Sequence, residues 1–177
     1  MSEFFESLKK NRKILRVVPG NVVYVLKMPI HLANEYTIRR PEFFGKFGLI
    51  ERIVIKPFPP ILQHITAAVY IKYYNKEDGI KAVALGSKKW PRMKISFGGM
   101  RYCNAFLDNM RCENELCNYW HCLEDKEAHF TVKELNKGKI SQYSKKLISE
   151  YLQKLEMHEK QEAKNDVNDS AAHKDCL

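Results

Sequence analysis

Hydrophobic and polar residues alternate in short runs through the first half of the chain, and each run predicts a strand or a helix. Four runs have a period of two and are rich in β-branched or aromatic residues, which predicts strands at residues 21–26, 50–56, 65–74 and 92–97. Two runs with helical spacing lie between them, at residues 31–47 and 76–85. The order β-α-β-β-α-β over residues 21–98 is a split βαβ arrangement. We therefore expect an α+β fold, with a four-stranded antiparallel sheet under two helices and the first and third strands at its centre.

The segments before and after this unit follow other patterns. Residues 1–20 form a basic, mildly amphipathic segment with helical spacing, and the Pro19–Gly20 turn ends it. Residues 99–125 hold most of the cysteines and have little regular periodicity. We expect this second segment to depend on its side-chain chemistry for its fold.

The C-terminal part of the chain is predicted to be helical. Thr131 and Glu134 have the spacing of a capping box that begins a short helix, and Gly138 ends it. A longer amphipathic helix follows, so residues 131–163 are predicted as C-terminal helices. The polar residues 164–177 are predicted to be a disordered tail.

The net charge of the chain indicates which classes of partner it favours. The 177 residues include 30 Lys and Arg against 21 Asp and Glu, a formal net charge of +9. Such a surplus favours polyanions, because each neutralised phosphate releases counterions; a generic basic protein is the alternative that charge alone leaves open. There is no apolar run long enough to span a bilayer and no secretory signal pattern. We expect a cytoplasmic protein without a membrane partner. The basic run at residues 9–13 leaves nuclear import open, although a solvated helix face is the simpler interpretation.

Four of the five cysteines fall within twenty residues and predict a metal site. The pattern is Cys103-x8-Cys112-x4-Cys117-x3-His121, which is typical of CCCH zinc fingers. Three thiolates and an imidazole close a tetrahedron around one structural Zn(II), without an open position for catalysis. Cys122 is an alternative fourth ligand, and a set of unrelated buried cysteines is the other interpretation. Cys176 lies in the predicted tail as a free thiol.

Aromatic and basic residues accompany both predicted modules. Near the finger, Tyr102, Tyr119 and Arg101 are candidates to contact unpaired bases and phosphates, although packing against the zinc loop explains the aromatic residues equally well. Trp120 has the same two interpretations, and Phe106 is expected to pack. On the sheet, strand alternation places Tyr24, Tyr70 and Lys72 on the face away from the predicted helices; these are the candidate RNA-binding residues there.

Two strand segments resemble the ribonucleoprotein sequences of the RNA recognition motif (RRM). Residues 23–28 resemble the hexapeptide of that family and residues 66–73 its octapeptide, with Tyr24 and Tyr70 at the base-stacking positions. The octapeptide departs from the family at Thr66, where Lys or Arg is usual, and at Ala68, where an aromatic residue is usual. One stacking platform is therefore missing, so a scaffold or protein-binding face is the alternative.

The two modules together resemble a known family. The matching stretches are residues 11–13, 16–18, 40–48, 101–107, 117–121, 130–134 and 138–139, among which Arg-Pro-Glu-Phe-Phe-Gly-Lys-Phe-Gly at residues 40–48 is long and unusual. They resemble the central region of the ubiquitin-ligase subunits of Ccr–Not mRNA deadenylase complexes. Members of that family begin with a RING domain that binds two zinc ions, and no such segment precedes residue 11.

These observations lead to an expected function. We expect a non-catalytic, zinc-binding RNA adaptor of mRNA decay or translation control that binds single-stranded RNA and protein subunits of a decay complex. No motif indicates an enzyme or a small-molecule substrate. The alternatives are a protein-interaction scaffold and part of a ubiquitin ligase whose RING is supplied in trans.

Overall fold

The fold is built around one antiparallel sheet and a long C-terminal helix. The computed structural model describes residues 3–59 and 65–172. Its strands are β1 Leu15–Val17, β2 Val22–Pro29, β3 Ile50–Pro57, β4 Thr66–Tyr73, β5 Lys94–Phe97 and β6 His129–Thr131. Its α-helices are α1 Glu3–Lys10, α2 Glu35–Arg39, α3 Lys76–Lys89, α4 Asn104–Leu107, α5 Val132–Asn136 and α6 Ile140–Ala172. Short 3-10 turns occur at Phe44–Phe47 and Lys126–Ala128.

The main sheet confirms the predicted strand arrangement. Its order is β3-β4-β2-β5, and every pair is antiparallel, so the two strands predicted for the centre are central. Tyr24 pairs with Tyr70 across the two central strands. Because side chains alternate across a strand, these two tyrosines share one face with Arg52, Val54 and Lys56 of β3.

The opposite face of the sheet carries the larger core. Val69, Ile71 and Tyr73 of β4 are fully buried there. Helix α3 and the Phe44–Phe47 turn cover them, and the Tyr73 hydroxyl donates a hydrogen bond to the Phe44 carbonyl at 3.0 Å. This face is closed to ligands.

The first helix of the predicted unit is shorter than expected. Residues 31–47 were predicted as one helix, but α2 covers only Glu35–Arg39, followed by the turn at Phe44–Phe47. Pro41 disfavours helical geometry at the residue before it, and Arg40 is accordingly extended, with φ −65° and ψ 146°. The chain then folds back so tightly that a Cβ at Gly45 would lie 2.0 Å from the Arg39 carbonyl oxygen.

The N-terminal segment contains a strand that the sequence did not predict. Residues 1–20 were expected to be helical, but after α1 the chain forms β1, which pairs antiparallel with β6. Leu8 of α1 and Val17 of β1 are buried in a second core that also contains Trp120. The N-terminal segment is therefore built into the fold beside the cysteine-rich segment.

The C-terminal helices begin as predicted and extend further. The capping box is confirmed: the Glu134 N–H donates to the Thr131 hydroxyl at 3.2 Å, and the Thr131 N–H donates to the Glu134 carboxylate at 2.9 Å. The bond from the Thr131 backbone, with those from the Lys139 ammonium group and the Thr131 hydroxyl, lowers the pKa of Glu134 to about 2. Helix α6 packs on α3 through the buried Leu147. It continues to Ala172 instead of ending near residue 163, which corrects the predicted start of the tail; residues 173–177 lie outside the described part.

Candidate metal centre and nucleic-acid interface

The four predicted metal ligands come together in space. The donor atoms of Cys103, Cys112, Cys117 and His121 all lie within 4.8 Å of one another. A tetrahedral zinc site has donor atoms about 3.5–3.8 Å apart, given Zn–S and Zn–N bonds of about 2.3 and 2.0 Å. The cluster is thus compatible with one zinc ion after small side-chain shifts.

Short backbone contacts position the first and last of these ligands. Tyr102 and Trp120 form an isolated parallel bridge, in which the Cys103 N–H donates to the Trp120 carbonyl at 3.0 Å and the Trp120 N–H to the Arg101 carbonyl at 2.7 Å. Cys103 and His121, the residues that follow the bridge on each side, are thereby held next to each other. Cys122 is exposed and is not part of the donor cluster, which favours His121 as the fourth ligand.

Two further observations fit a bound metal. The Nε2 atom of His121 is buried without a hydrogen-bond partner, and a metal ion would satisfy it. Burial raises the pKa of the Cys103 thiol, but hydrogen bonds from the Phe106 backbone and from the Cys112 side chain outweigh it, so the net pKa of Cys103 is lowered. In contrast, burial raises the pKa of Cys117. Three cysteine sulfurs and an imidazole nitrogen without a hydrogen-bond partner therefore face one another, and this is a donor set that zinc prefers.

The cysteine-rich segment, residues 99–125, is anchored to the sheet. The Arg52 Nη1 group lies 2.9 Å from the carbonyl oxygens of Leu116 and Cys117 and 3.0 Å from Oδ1 of Asn118. One residue of an edge strand thus binds three consecutive residues of the loop that carries the third cysteine. This contact holds the cysteine-rich segment, the predicted finger, against the face of the sheet that carries Tyr24 and Tyr70.

Lys72 also lies at the contact between the sheet and the cysteine-rich segment. Its ammonium group forms an ion pair with Glu51 at 2.8 Å and lies 5.0 Å from the Trp120 ring centroid. The indole is buried against the sheet. Lys72 was predicted to contact RNA, but its position makes it part of the junction between sheet and finger, and Trp120 has a packing role.

The other end of the sheet face remains open and aromatic. The rings of Tyr24 and Tyr70, both half-buried, lie side by side with centroids 4.5 Å apart and planes tilted by 33°. Burial raises the pKa of Tyr70, so its hydroxyl is neutral at physiological pH. The Lys56 ammonium lies 5.3 Å from the Tyr70 ring centroid, and in register Lys56 is opposite Ala68, where the third aromatic residue is missing. A lysine therefore accompanies the two tyrosines on this face.

A groove of about 500 Å³ separates this open face from the finger. Among the residues that line it, Lys56 and Tyr70 come from the sheet, Asn118 and Tyr119 from the finger, Arg16 from β1 and Arg101 from the residues that follow β5. Tyr119 is 51% exposed and Arg101 is also exposed. The structure thus brings the predicted residues Tyr70, Arg101 and Tyr119 to one site.

Tyr102 lies inside the protein, which corrects its predicted role in RNA binding. Its ring is stacked between those of Phe106 and His129, each at a centroid distance of 5.7 Å. Its hydroxyl is 2.9 Å from Nε2 of His129, whose Nδ1 donates to the Asp125 carbonyl at 2.8 Å. Burial raises the pKa of Tyr102 to about 12. Because both faces of the ring are covered, Tyr102 is a packing residue, as Phe106 was predicted to be.

Sequence reasoning missed three basic residues of this region. Lys56 and Arg52 follow from strand alternation in β3, since both share the face of Tyr70, so the pattern could have identified them. Arg16 could not have been found, because it reaches the groove only through the pairing of β1 with β6. Cys176, the predicted free thiol, lies outside the described residues.

Comparison with known proteins identifies relatives among regulators of transcription. No protein-family model matches the chain. A general negative regulator of transcription from Schizosaccharomyces pombe is 35% identical over 136 residues, which cover 73% of this chain and 28% of the relative. General negative regulator of transcription subunit 4 from Saccharomyces cerevisiae is 29% identical over 154 residues, 76% of this chain and 26% of the relative.

The chain is a relative of one segment of these regulators. It spans about a quarter of the length of the curated relatives that it matches. The names of both relatives place them in the regulation of transcription, and the Saccharomyces cerevisiae protein is named as a subunit. Among the described residues, no helix is long and apolar enough to cross a membrane.

Proposed function

We propose that this chain is a zinc-stabilised RNA-binding adaptor of mRNA decay or translation control, associated with a Ccr–Not-like complex. In this proposal residues 21–98 are an RRM and residues 99–125 a CCCH finger, and the two modules bind single-stranded RNA as one unit. A cytoplasmic location follows from the proposed role and stays a prediction.

One observation carries the proposal. The paired rings of Tyr24 and Tyr70 lie on the open part of the sheet, directly beside a groove to which the finger contributes Tyr119. Unpaired bases stack on such platforms, and each stacked base contributes about 1–3 kcal/mol. The basic charge of the chain, +9, and its similarity to a segment of transcription regulators support the same function.

A pair of double variants tests this proposal. We expect Tyr24→Ala with Tyr70→Ala to weaken binding of a short single-stranded RNA about 5- to 150-fold for each stacked base that is lost. The matched control is Tyr36→Ala with Tyr74→Ala, which removes two tyrosines that are 78% and 61% exposed elsewhere. Fluorescence anisotropy with zinc-loaded protein measures both. Equal affinity of the two double variants would contradict a role of the sheet in RNA binding.

A protein-interaction scaffold is the second candidate function. Further along α6 than the buried Leu147, Leu152, Leu155 and Met157 are 44%, 40% and 66% exposed. These apolar side chains favour contact with another protein. A complex that is captured on the purified chain and survives nuclease treatment would support this function over RNA-mediated association.

A further inference from the structure

Two arginines meet in the groove between the sheet and the finger. Arg16 is half-buried, and its Nη1 group donates to the carbonyl oxygens of Leu15 at 2.7 Å and Lys13 at 3.1 Å. These bonds direct the guanidinium into the groove, where exposed Arg101 also lies. Burial and the nearby charge of Arg101 both lower the pKa of Arg16. Two like charges therefore line the same groove.

Nothing acidic offsets this charge within the described chain. Among the described residues, neither arginine forms an ion pair, and the groove lining contains Lys56 as a third cation but no carboxylate. Holding cations together in a partly desolvated site costs free energy unless an anion joins them. An anionic ligand would offset this charge.

The shape of the groove depends on two glycines that follow β5. A Cβ at Gly99 would lie 3.4 Å from Cβ of Arg16 and 3.1 Å from a methyl group of Leu135. A Cβ at Gly98 would lie 2.9 Å from a methyl group of Val22 and 3.4 Å from the Tyr70 ring. The backbone here passes directly beneath the tyrosine ring and the arginine stem, so the stacking platform and the cationic pair are parts of one site.

The finger limits where a ligand on the sheet can continue. At one end of the face, Arg52 is already bonded to the finger, and Lys72 lies against the Trp120 ring. A nucleotide stacked on Tyr70 therefore has the groove as its neighbour on the finger side. The volume of about 500 Å³ lies within the range of about 300–1,000 Å³ that small-ligand sites occupy.

We propose that Arg16 and Arg101 form a phosphate clamp for single-stranded RNA, which binds the phosphodiester next to the base that stacks on Tyr70. Planar guanidinium groups suit phosphate because each can donate two parallel hydrogen bonds. The clamp rests on the proposed RNA-binding function and extends the RNA site beyond the sheet, to the N-terminal segment. It assigns a role to a strand, β1, that lies outside the β-α-β-β-α-β unit.

Charge-neutral variants and a salt series test the clamp. We expect Arg16→Gln and Arg101→Gln each to weaken binding of a short single-stranded RNA about 10-fold or more, since each removes a charged hydrogen bond to phosphate. The double variant should lower the steepness of log K against log salt by about 0.7, the value for one phosphate contact on a single strand. Arg101 is exposed, so its variant folds normally; zinc content and thermal unfolding verify both proteins.

The control is Lys145→Gln, which removes one exposed cation from α6, on the helix side of the sheet. An unchanged affinity and salt dependence in this variant, with losses in both arginine variants, supports the clamp. Wild-type protein that binds RNA while both arginine variants retain its affinity and salt slope overturns the clamp and leaves the proposed function standing. Wild-type protein that does not bind RNA overturns the proposed function, and the clamp with it.

Discussion

Neighbouring residues in the cysteine-rich segment differ in exposure, and this difference decides their roles. His121 has a buried, unpartnered Nε2 atom, whereas the next residue, Cys122, is exposed and outside the donor cluster. Tyr102 is covered on both faces, whereas Tyr119 is half exposed at the groove. Residue type alone does not tell which member of each pair is buried and which is exposed. The backbone bridge between Tyr102 and Trp120 distinguishes them.

Variants of single cysteine residues test the ligands of the metal centre. Cys112→Ser removes one of the four clustered donors, so we expect the purified protein to lose its single equivalent of zinc. Cys122→Ser, the matched control, should retain one equivalent, because Cys122 is not a donor. Atomic emission spectroscopy of the dialysed proteins measures the zinc. Loss of zinc from the Cys122 variant, with zinc retained in the Cys112 variant, would contradict the ligand assignment.

The four donors could be predicted from sequence, because spacing alone limits which cysteines and histidines can close a tetrahedron. The two stacking positions, Tyr24 and Tyr70, were placed by strand alternation, and the structure has them on one face. Sequence could not decide between the two interpretations of Tyr102, and it could not predict the engagement of Lys72. Both depend on how the finger packs on the sheet, and no periodicity in the chain contains that information.

Among the contacts between elements, the one between β3 and the finger matters most for the stability of the finger. Arg52 satisfies the carbonyl oxygens of Leu116 and Cys117, and through them it fixes the loop between the second and third cysteines. A charged donor that binds carbonyl oxygens contributes about 1.5–3 kcal/mol. The finger and the sheet are therefore expected to unfold together.

Removing this contact should loosen the finger without unfolding the sheet. We expect Arg52→Ala to lower the free energy of unfolding by about 1.5–3 kcal/mol and to speed zinc transfer to a chelator. Arg92→Ala is the control, because Arg92 is exposed and forms no hydrogen bond or ion pair that we identify in the described chain. Urea denaturation and a chromogenic chelator measure the two effects. Identical chelation rates in the two variants would exclude Arg52 as the anchor.

Elements differed in how far the sequence predicted them. Long strands with a clear period of two were found, and their order in the sheet is as predicted. The three-residue strands β1 and β6 were missed, because so few residues show no periodicity and their pairing joins segments more than 100 residues apart. The break in the helix predicted at 31–47 has its signal in Pro41, which disfavours helical geometry at the preceding residue.

In the whole molecule, several parts of the chain form one surface. The sheet, the finger, β1 and the linker after β5 all contribute to the groove, and α6 packs on the opposite side against α3. The net charge of +9 is larger than the charge of the three cationic side chains in the groove. We therefore expect long-range attraction of a polyanion in addition to direct contacts. RNA binding should thus depend both on salt and on an intact metal centre.

The most direct measurement is the affinity of the zinc-loaded protein for a pool of short single-stranded RNAs, determined over a salt series and again after chelation of the metal. We expect micromolar or tighter binding that weakens as salt rises. Chelation should weaken it further, because the finger that carries Tyr119 and forms one side of the groove loses its metal. Absence of binding at low salt would contradict the central claim and leave a zinc-stabilised scaffold for protein partners.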